Sequence, residues 1–326
     1  MQLKRTNYLK IREKLINIKK NQNIIFEPLL VKYYQSYFDK SYFKDISFEI
    51  ENKNNFILCP LTLERKDNQN YLSFYGNFFS IFYVNKEIEI FNYFFKKIQS
   101  IIENEKIQNI KFSFQKEFRE KEINQKQYVD IDKIVLNKYI DLTTDYEMII
   151  KNFSKGHKSA IKKNYDELTY QIIDDKNYNN EIFDMMRLHE EVSGKKTRSK
   201  KTWIINEEMI KEKKGLLVKV TKENQAVSYS FFFKNNSEAF YFSSCTYRSL
   251  FNNYKNITHK SIEHMIKYLK KLNCKKVTLG NTKTLYSVEE LDLKNKNIEK
   301  FKSSFGGKEF VNCYCNNISE KFFKII

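Results

Sequence analysis

The C-terminal half of the sequence contains three groups of polar residues whose types and spacing suit chemistry on an anionic ligand. The first is His259, which stands just before Ile262 and therefore falls in the first turn of a predicted helix. Backbone N–H groups in a first turn lack intrahelical partners and favour anions. A histidine there can accept a proton, because its reference pKa is about 6.5. The alternative is a partly buried histidine that is hydrogen-bonded to a neighbour.

The second group is the basic segment 195–201, in which five of seven residues are lysine or arginine. Lys196 and Arg198 in this segment could clamp a phosphate or diphosphate, and a guanidinium can do so with two parallel hydrogen bonds. Trp203, the only tryptophan of the chain, would then stack on a sugar or base, or hold the loop in place. The alternative is a solvated loop without a ligand, since charged residues mostly face water.

The third group surrounds Lys302, which precedes two glycines at residues 306–307. Ile298, Phe301 and Phe305 form the buried stripe of the helix predicted there, so Lys302 points partly outward. From that position it could meet the phosphates of a ligand, and a solvated helix lysine is the alternative. The glycines allow a left-handed helix end or a close backbone approach.

Periodicity predicts the elements that must position these residues. A three-stranded antiparallel meander is followed by helix, strand, helix and strand, at residues 215–220, 225–233 and 239–245, then 259–272, 275–279, 296–304 and 309–314. The helix over 259–272 has apolar residues at helical spacing, with Thr258 placed to cap its N-terminus. The sequence therefore predicts a mixed α/β fold in this half of the chain.

The N-terminal half repeats this order in weaker form. A hairpin is predicted from residues 55–63 and 71–75, an amphipathic helix from residues 88–102 and a strand from residues 109–114. Two tandem domains of related fold would explain the repetition. The boundary falls between residues 130 and 145, and we divide the chain into residues 1–140 and 141–326.

Composition agrees with two folded domains and with an anionic partner. The chain has 326 residues, of which 41% are hydrophobic and 16% aromatic, so a sizeable core can be buried. The net charge of +18 favours nucleic acid, a nucleotide-linked substrate or a membrane surface as partner. Codon bias of an AT-rich genome, which inflates Lys, Asn, Ile, Phe and Tyr together, is the alternative source of the charge.

The sequence predicts a cytoplasmic protein without a bound metal. No apolar run reaches the length of about 18 residues that a transmembrane helix requires, and residues 1–20 lack the apolar core of a secretory signal. The five cysteines are odd in number and include no CxxC pair, so we expect reduced thiols and no metal site.

Three segments resemble the FemAB-like branch of the GNAT superfamily of N-acetyltransferases, a branch that includes amino-sugar and peptidoglycan-bridge acyltransferases. They are residues 153–163, 193–203 and 259–307, and the most specific part is the Phe-Lys signature at 301–302 with Phe-Gly-Gly at 305–307. The likeness covers about residues 141–314. It implies tandem GNAT-like domains in a FemAB-like arrangement, with the C-terminal copy the better preserved.

The resemblance implies a reaction and a place for it. In the GNAT fold, the third meander strand and the strand after the helix splay apart, and the acyl donor's pantetheine arm lies in the opening. On this basis the backbone around Ser243 and Ser244 would hold the donor and polarise its carbonyl. His259 would serve as general base, directly or through water, and Tyr247 or Tyr286 would protonate the departing sulfur.

The resemblance also implies acetyl-CoA as acyl donor, but one expected motif is missing. The glycine-rich pyrophosphate loop of ordinary acetyltransferases does not precede the helix of His259, so Lys255 and Lys260 would have to substitute for it, with Lys302 on the donor's phosphates. The acceptor would be an amino sugar linked to a nucleotide and used for cell-surface glycans, for example one that becomes a nonulosonic acid. It would bind between the domains, with its phosphates on segment 195–201.

Two other functions compete with this interpretation. A FemAB-type ligase would use aminoacyl-tRNA to extend a peptidoglycan precursor, and the charge of +18 suits tRNA. Such ligases often carry a long helical arm, for which the sequence has no heptad stretch. A non-enzymatic nucleic-acid-binding protein is the other possibility, although no RNP-like aromatic motif or zinc finger supports it.

Overall fold

The computed structural model describes residues 2–18, 24–52, 55–84, 87–117, 131–163, 165–250, 253–254, 256–287 and 290–315. The described elements of the N-terminal half are β1 (Gln2–Arg5), α1 (Tyr8–Asn17), α2 (Pro28–Tyr37), β2 (Tyr42–Asp45), β3 (Phe48–Asn52), β4 (Asn55–Cys59), β5 (Thr62–Lys66), β6 (Gln69–Ser73), β7 (Phe82–Tyr83), α3 (Ile88–Asn104), β8 (Asn109–Glu117) and β9 (Ile131–Asp141).

The described elements of the C-terminal half are α4 (Tyr146–Lys151), α5 (Lys155–Lys162), β10 (Leu168–Ile173), α6 (Glu181–Ser193), α7 (Lys200–Lys211), β11 (Gly215–Lys222), β12 (Gln225–Lys234), β13 (Glu238–Thr246), α8 (Ile257–Lys271), β14 (Lys276–Ser287), α9 (Leu293–Ser303) and β15 (Lys308–Cys315). The mixed α/β class predicted from the sequence is confirmed.

One large mixed sheet joins the two halves. Its strand order is β10-β11-β12-β13-β14-β9-β15-β8-β6-β5-β2. The strand that closes each half pairs with the other half: β9 lies antiparallel to β14, and β15 lies antiparallel to β8. These two exchanged strands also pair with each other at the centre of the sheet. The division at residue 140 remains a prediction, and the sheet runs without a break across that point.

The two halves share one local plan. In the C-terminal half, β12 and β13 are antiparallel, α8 follows, and β14 returns parallel to β13. In the N-terminal half, β5 and β6 are antiparallel, α3 follows, and β8 returns parallel to β6. The tandem repeat expected from the sequence is therefore present, and β10 extends the predicted meander of the C-terminal copy by a fourth strand.

The predicted hairpin of residues 55–63 with 71–75 is wrong in its first strand. Pro60 has no backbone N–H to donate to a ladder, and the run divides around it into β4 and β5. β5 pairs with β6 as the hairpin. β4 instead joins a second sheet of order β1-β3-β4-β7, which the sequence did not predict.

The helix predicted over 259–272 begins two residues earlier, at Ile257. Thr258 is therefore inside the helix, and Asn256 is the N-cap residue. The Asn256 side chain does not cap its own helix but donates through Nδ2 to the carbonyls of Ala160 and Lys163, 2.6 and 3.1 Å away. The start of α8 is thus tied to the end of α5.

Two further boundaries differ from the predictions. Strand β14 continues to Ser287, because β9 supplies a partner along its length. The basic segment 195–201 ends inside a helix, since α7 begins at Lys200. No helix in the described ranges is long and apolar enough to cross a bilayer.

Candidate functional site

Strands β13 and β14 pair over only three residues before they part. The parallel register joins Glu238 to Lys276, Ala239 to Val277 and Phe240 to Thr278. Beyond these pairs β13 continues to residue 246 along β12, while β14 turns away along β9. The result is a V-shaped opening, here called the slot, whose wide end faces the start of α8.

The amine of Lys302 lies against the wall of the slot at Gly280. A Cβ built on Gly280 would stand 3.2 Å from Lys302 Nζ and 3.9 Å from the Phe240 ring. Gly280 also has φ of +81°, a backbone conformation that residues with a side chain rarely adopt. Glycine at this place in β14 therefore leaves room for the amine where the two strands diverge.

Helix α9 holds Lys302 in this position. One turn earlier, Glu299 accepts two hydrogen bonds from Thr284 of β14, from its N at 2.9 Å and its Oγ1 at 2.7 Å. This contact fixes the helix on the strand. In the described part of the chain, Lys302 Nζ has neither a hydrogen bond nor an ion pair. Burial lowers the pKa of Lys302 to about 8, and the charge of Glu299 opposes this change.

His259 lies in the first turn of α8, as expected, and packs edge to face against His157 of α5. The two ring centroids are 4.2 Å apart, and Phe301 is 4.9 Å from His259. His157 Nε2 is 3.0 Å from the carbonyl oxygen of Phe301, whereas His259 Nδ1 is buried without a partner in the described chain. Only the fold brings these two histidines into contact.

The surroundings of His259 keep its imidazole uncharged at neutral pH. Burial lowers the pKa of His259 to about 4, and the neighbouring His157 contributes in the same direction. An imidazole with this pKa is a weaker proton acceptor than the sequence implied. The ring can still accept a hydrogen bond, although its unpartnered Nδ1 is buried.

Ser243 and Ser244 lie on the part of β13 that has left β14. The Ser243 Oγ is buried without a partner in the described chain. Ser244 Oγ accepts a hydrogen bond from the Tyr241 hydroxyl at 2.5 Å. The register of β13 against β12 slips between these serines and Tyr241, which marks a β-bulge at the slot.

Four other predicted residues differ in whether their side chains are free to bind a ligand. Lys260 Nζ donates to the carbonyl of Ile161 at 2.7 Å, so its ammonium is a hydrogen-bond donor to the last turn of α5. The Tyr247 hydroxyl donates to Glu191 Oε2 at 3.1 Å. Tyr286 lies on β14 opposite Ile134, but its side chain is outside the described residues, as is Lys255. These contacts weaken the case for Lys260 as a phosphate ligand.

The basic segment 195–201 is anchored by its arginine. Arg198 donates to the Tyr33 hydroxyl of α2 at 3.0 Å, and its guanidinium lies 4.6 Å from the centre of the Trp203 ring. Trp203 is 1% exposed, so its ring holds the loop against the core and is not open for stacking on a ligand. Lys196 is exposed. Of the predicted acceptor ligands, only Lys196 and part of Arg198 face solvent.

A cavity of about 460 Å³ lies between the two halves. It reaches the slot, because Phe240 and Gly280 line both. Strands of both halves and the two exchanged strands form its floor. Polar and aromatic side chains predominate in its lining, including Tyr34, Asn77, Ser113, Asn137, Tyr139, Glu238, Lys276, Thr278, Asn281, Phe310 and Asn312.

Solved structures share this fold along nearly the whole chain. FemX superposes with a TM-score of 0.60 over 100% of both chains, at 11% identity. The chain has the FemAB-like, tandem GNAT fold. A tandem GNAT protein from the clavulanic acid biosynthesis pathway matches 98% of this chain and 99% of its own, at 6% identity and a TM-score of 0.51. L-PGS from Bacillus licheniformis matches 97% and 94%, at 10% identity and a TM-score of 0.50.

The likeness is one of structure, since no family model and no curated protein matches the sequence. Within the FemAB-like fold, the slot falls in the C-terminal copy, as the sequence predicted. In the ranges that the structure describes, no three His, Cys, Asp or Glu side chains cluster as metal ligands would. The described cysteines Cys59, Cys245 and Cys274 are free thiols.

Sequence reasoning missed Gly280 and the cavity between the halves of this FemAB-like fold. An isolated glycine within a strand pattern signals the close approach of another group, and Gly280 between Leu279 and Asn281 fits that rule. No pattern in the sequence indicated the cavity. Its lining comes from strands more than a hundred residues apart, such as β8 and β15.

Proposed function

We propose that the chain is an N-acyltransferase that moves an acyl group, acetyl in the simplest case, from acyl-CoA to a primary amine. The observation that carries this proposal is the three-residue pairing of β13 with β14, with the amine of Lys302 beside Gly280 where the strands part. Acyl transfer from a thioester needs hydrogen-bond donors or positive charge where the oxyanion develops. The proposal assigns the slot to the thioester and Lys302 to its carbonyl oxygen.

The proposed reaction forms one bond and breaks one. The acceptor nitrogen attacks the thioester carbonyl, the C–N bond forms, and negative charge develops on the carbonyl oxygen before the C–S bond breaks. The Lys302 ammonium lies where it can stabilise that oxygen, with backbone N–H groups near Ser243 and Ser244 as further donors. The first turn of α8 offers N–H groups to the donor's pyrophosphate.

Two proton transfers complete the reaction. The attacking amine loses a proton, and the departing thiolate gains one. His259 is the proposed acceptor for the first, directly or through water. Its pKa of about 4 makes the ring a weak base, so this role depends on the acceptor nitrogen becoming strongly acidic as the C–N bond forms. Tyr247 or Tyr286 is the proposed donor to sulfur, and Tyr247 would have to leave Glu191 to reach it.

The proposed acceptor is an amino sugar linked to a nucleotide, used in cell-surface glycan synthesis such as that of a nonulosonic acid. Segment 195–201 would meet its phosphates with Lys196 and the free edge of Arg198. The high net charge of the chain supports an anionic acceptor. The location of this segment beside α2, at the contact between the halves, agrees with an acceptor that spans both.

Release of free CoA from acetyl-CoA tests the proposal. The assay uses purified protein with a panel of nucleotide-linked amino sugars and simple amines, and a mass spectrum of the product identifies the new amide. Amine-dependent CoA release is expected. Absence of turnover with every amine, together with no stabilisation of the fold by acetyl-CoA or CoA, would reject acyl-CoA as donor.

An aminoacyl-tRNA donor is the second candidate, and the net charge of +18 favours it. The proposed chemistry at Lys302 is the same, since an aminoacyl ester also passes through a tetrahedral oxyanion. Ribonuclease treatment separates the two donors. Activity with acetyl-CoA survives this treatment under the main proposal, whereas transfer that depends on tRNA is lost.

A further inference from the structure

The floor of the cavity between the halves is a band of polar side chains across neighbouring strands. On β15, Asn312 is paired in register with Ser113 of β8, and Ser113 Oγ donates to Asn312 Oδ1 at 2.5 Å. On β9, Asn137 stands opposite Phe310 of β15. The centre of a large sheet is usually apolar on a covered face, so polar residues here need a partner.

Asn137 is the residue in this band that lacks one. It is 3% exposed, and its Nδ2 has no hydrogen-bond partner in the part of the chain that the structure describes. An unpaired buried amide destabilises a fold. Asn137 lines the cavity, so rotation of its amide would turn the NH2 group toward a ligand that accepts the missing hydrogen bond.

The charged side chains in the described lining of the cavity neutralise each other. Among the lining residues that the structure describes, the charged ones are Lys276 and Glu238, which form an ion pair at 2.9 Å. Phosphate would find no free cation on this lining. Amide and hydroxyl groups remain, together with the rings of Tyr139 and Phe310. This chemistry suits an uncharged ligand with many hydroxyl groups and a flat apolar face, as a sugar ring has.

We infer that this cavity binds the uncharged sugar portion of the acceptor, with Asn137 as a residue that determines specificity. The inference rests on the proposed function for the identity of the ligand as acceptor. It places the sugar against Asn137 and its amine toward Phe240 and Gly280, where the cavity meets the slot. The phosphates of the acceptor then lie outside the cavity.

Asn137→Leu tests the inference, and Asn206→Leu is its matched control. Asn206 is also fully buried with an unpaired amide, but it lies on α7 in the core beneath the C-terminal sheet. Both substitutions remove an unpaired amide, so both variants are expected to melt at or above the temperature of the wild type.

Binding is measured by ligand-observed NMR with the methyl glycosides of glucose, N-acetylglucosamine and N-acetylgalactosamine, and with pantetheine as the uncharged part of the donor. Saturation transfer to at least one glycoside is expected from the wild type and from Asn206→Leu, and its loss from Asn137→Leu. Asn137→Ser, which keeps a donor, is expected to retain part of it. Transfer to pantetheine alone, or equal transfer with all variants, overturns the inference.

The kinetic readout separates this inference from the proposed function. With an active acceptor, Asn137→Leu is expected to raise the acceptor KM about tenfold or more and to leave the KM of acetyl-CoA unchanged. Unchanged acceptor KM in a protein that turns over rejects the sugar site and keeps the acyltransferase. Glycoside binding without turnover by any amine, and without stabilisation by acetyl-CoA or CoA, keeps the sugar site and rejects acyl-CoA as donor.

Discussion

Lys302 Nζ occupies space that a side chain at residue 280 would fill, at 3.2 Å from the position of a Cβ on Gly280. This relationship joins α9 to the strand that forms one wall of the slot. It also gives the partly buried lysine room at a place where it has no ion pair in the described chain. The Lys302 amine therefore lies close to the proposed position of the thioester carbonyl.

Lys302→Met is expected to lower kcat/KM by about a hundredfold or more, because loss of one oxyanion-stabilising group typically costs 10²–10³ in rate. Lys300→Met is the matched control, since Lys300 is exposed on the same helix. The assay is CoA release with the best acceptor. Equal activity of the two variants would remove Lys302 from the mechanism.

The same lysine is expected to reduce stability at neutral pH. Its folded pKa of about 8 lies below its ordinary value of 10.5. The charged form is therefore disfavoured by folding, by up to about 3 kcal/mol below pH 8. This penalty fades as the pH rises from 8 to 10.5. Lys302→Met should be more resistant to urea than the wild type at pH 7, with a smaller gain at pH 10. A gain that does not change with pH would contradict the shifted pKa.

Gly280→Ala is expected to destabilise the fold by about 1–2 kcal/mol through its positive φ, and in addition to displace Lys302 and lower turnover. Gly194→Ala is the control. Gly194 has φ of +68° but nothing within 4 Å of a built Cβ, so it reports the backbone cost alone. Thermal melting and kcat are measured for both. Loss of turnover in Gly280→Ala but not in Gly194→Ala would show that the added methyl group displaces the Lys302 amine.

His259 is expected to make the protein sensitive to acid. Its folded pKa of about 4 lies below the ordinary 6.5, so only the unfolded state takes up a proton as the pH falls through this range. Stability is complete above pH 6.5 and is lost toward pH 4, by about 1–2 kcal/mol near pH 5. His259→Phe should flatten this loss in urea titrations. Turnover of this variant at neutral pH tests the proposed base: an unchanged kcat would exclude it.

Arg198→Ala is expected to destabilise the protein by about 1–2 kcal/mol, because it removes the hydrogen bond to Tyr33 and the contact with the Trp203 ring. If the arginine also binds the acceptor, the acceptor KM rises. Lys196→Ala, at an exposed position, should raise the acceptor KM without loss of stability. A change confined to the KM of acetyl-CoA would assign segment 195–201 to the donor instead.

The sequence by itself determined the elements whose pattern is local. The meander, α3, α8 and the start of β14 follow from apolar spacing and turns, because a strand or helix period needs only its own residues. The FemAB-like arrangement was implied by a resemblance, which rested on the order of those elements and the signature around Lys302. The pattern of α8 was correct, although the residue that caps it was not.

Tertiary structure decided how the two halves share strands and which side chains meet. The pairing of Asn312 with Ser113 joins residues 199 apart, and no local period encodes such a partner. The same is true of the His157 and His259 contact, the burial of Trp203 and the position of Lys302 over Gly280. Burial and pKa depend on every element packed around a group. They are properties of the assembled fold, whereas propensity and period belong to each segment alone.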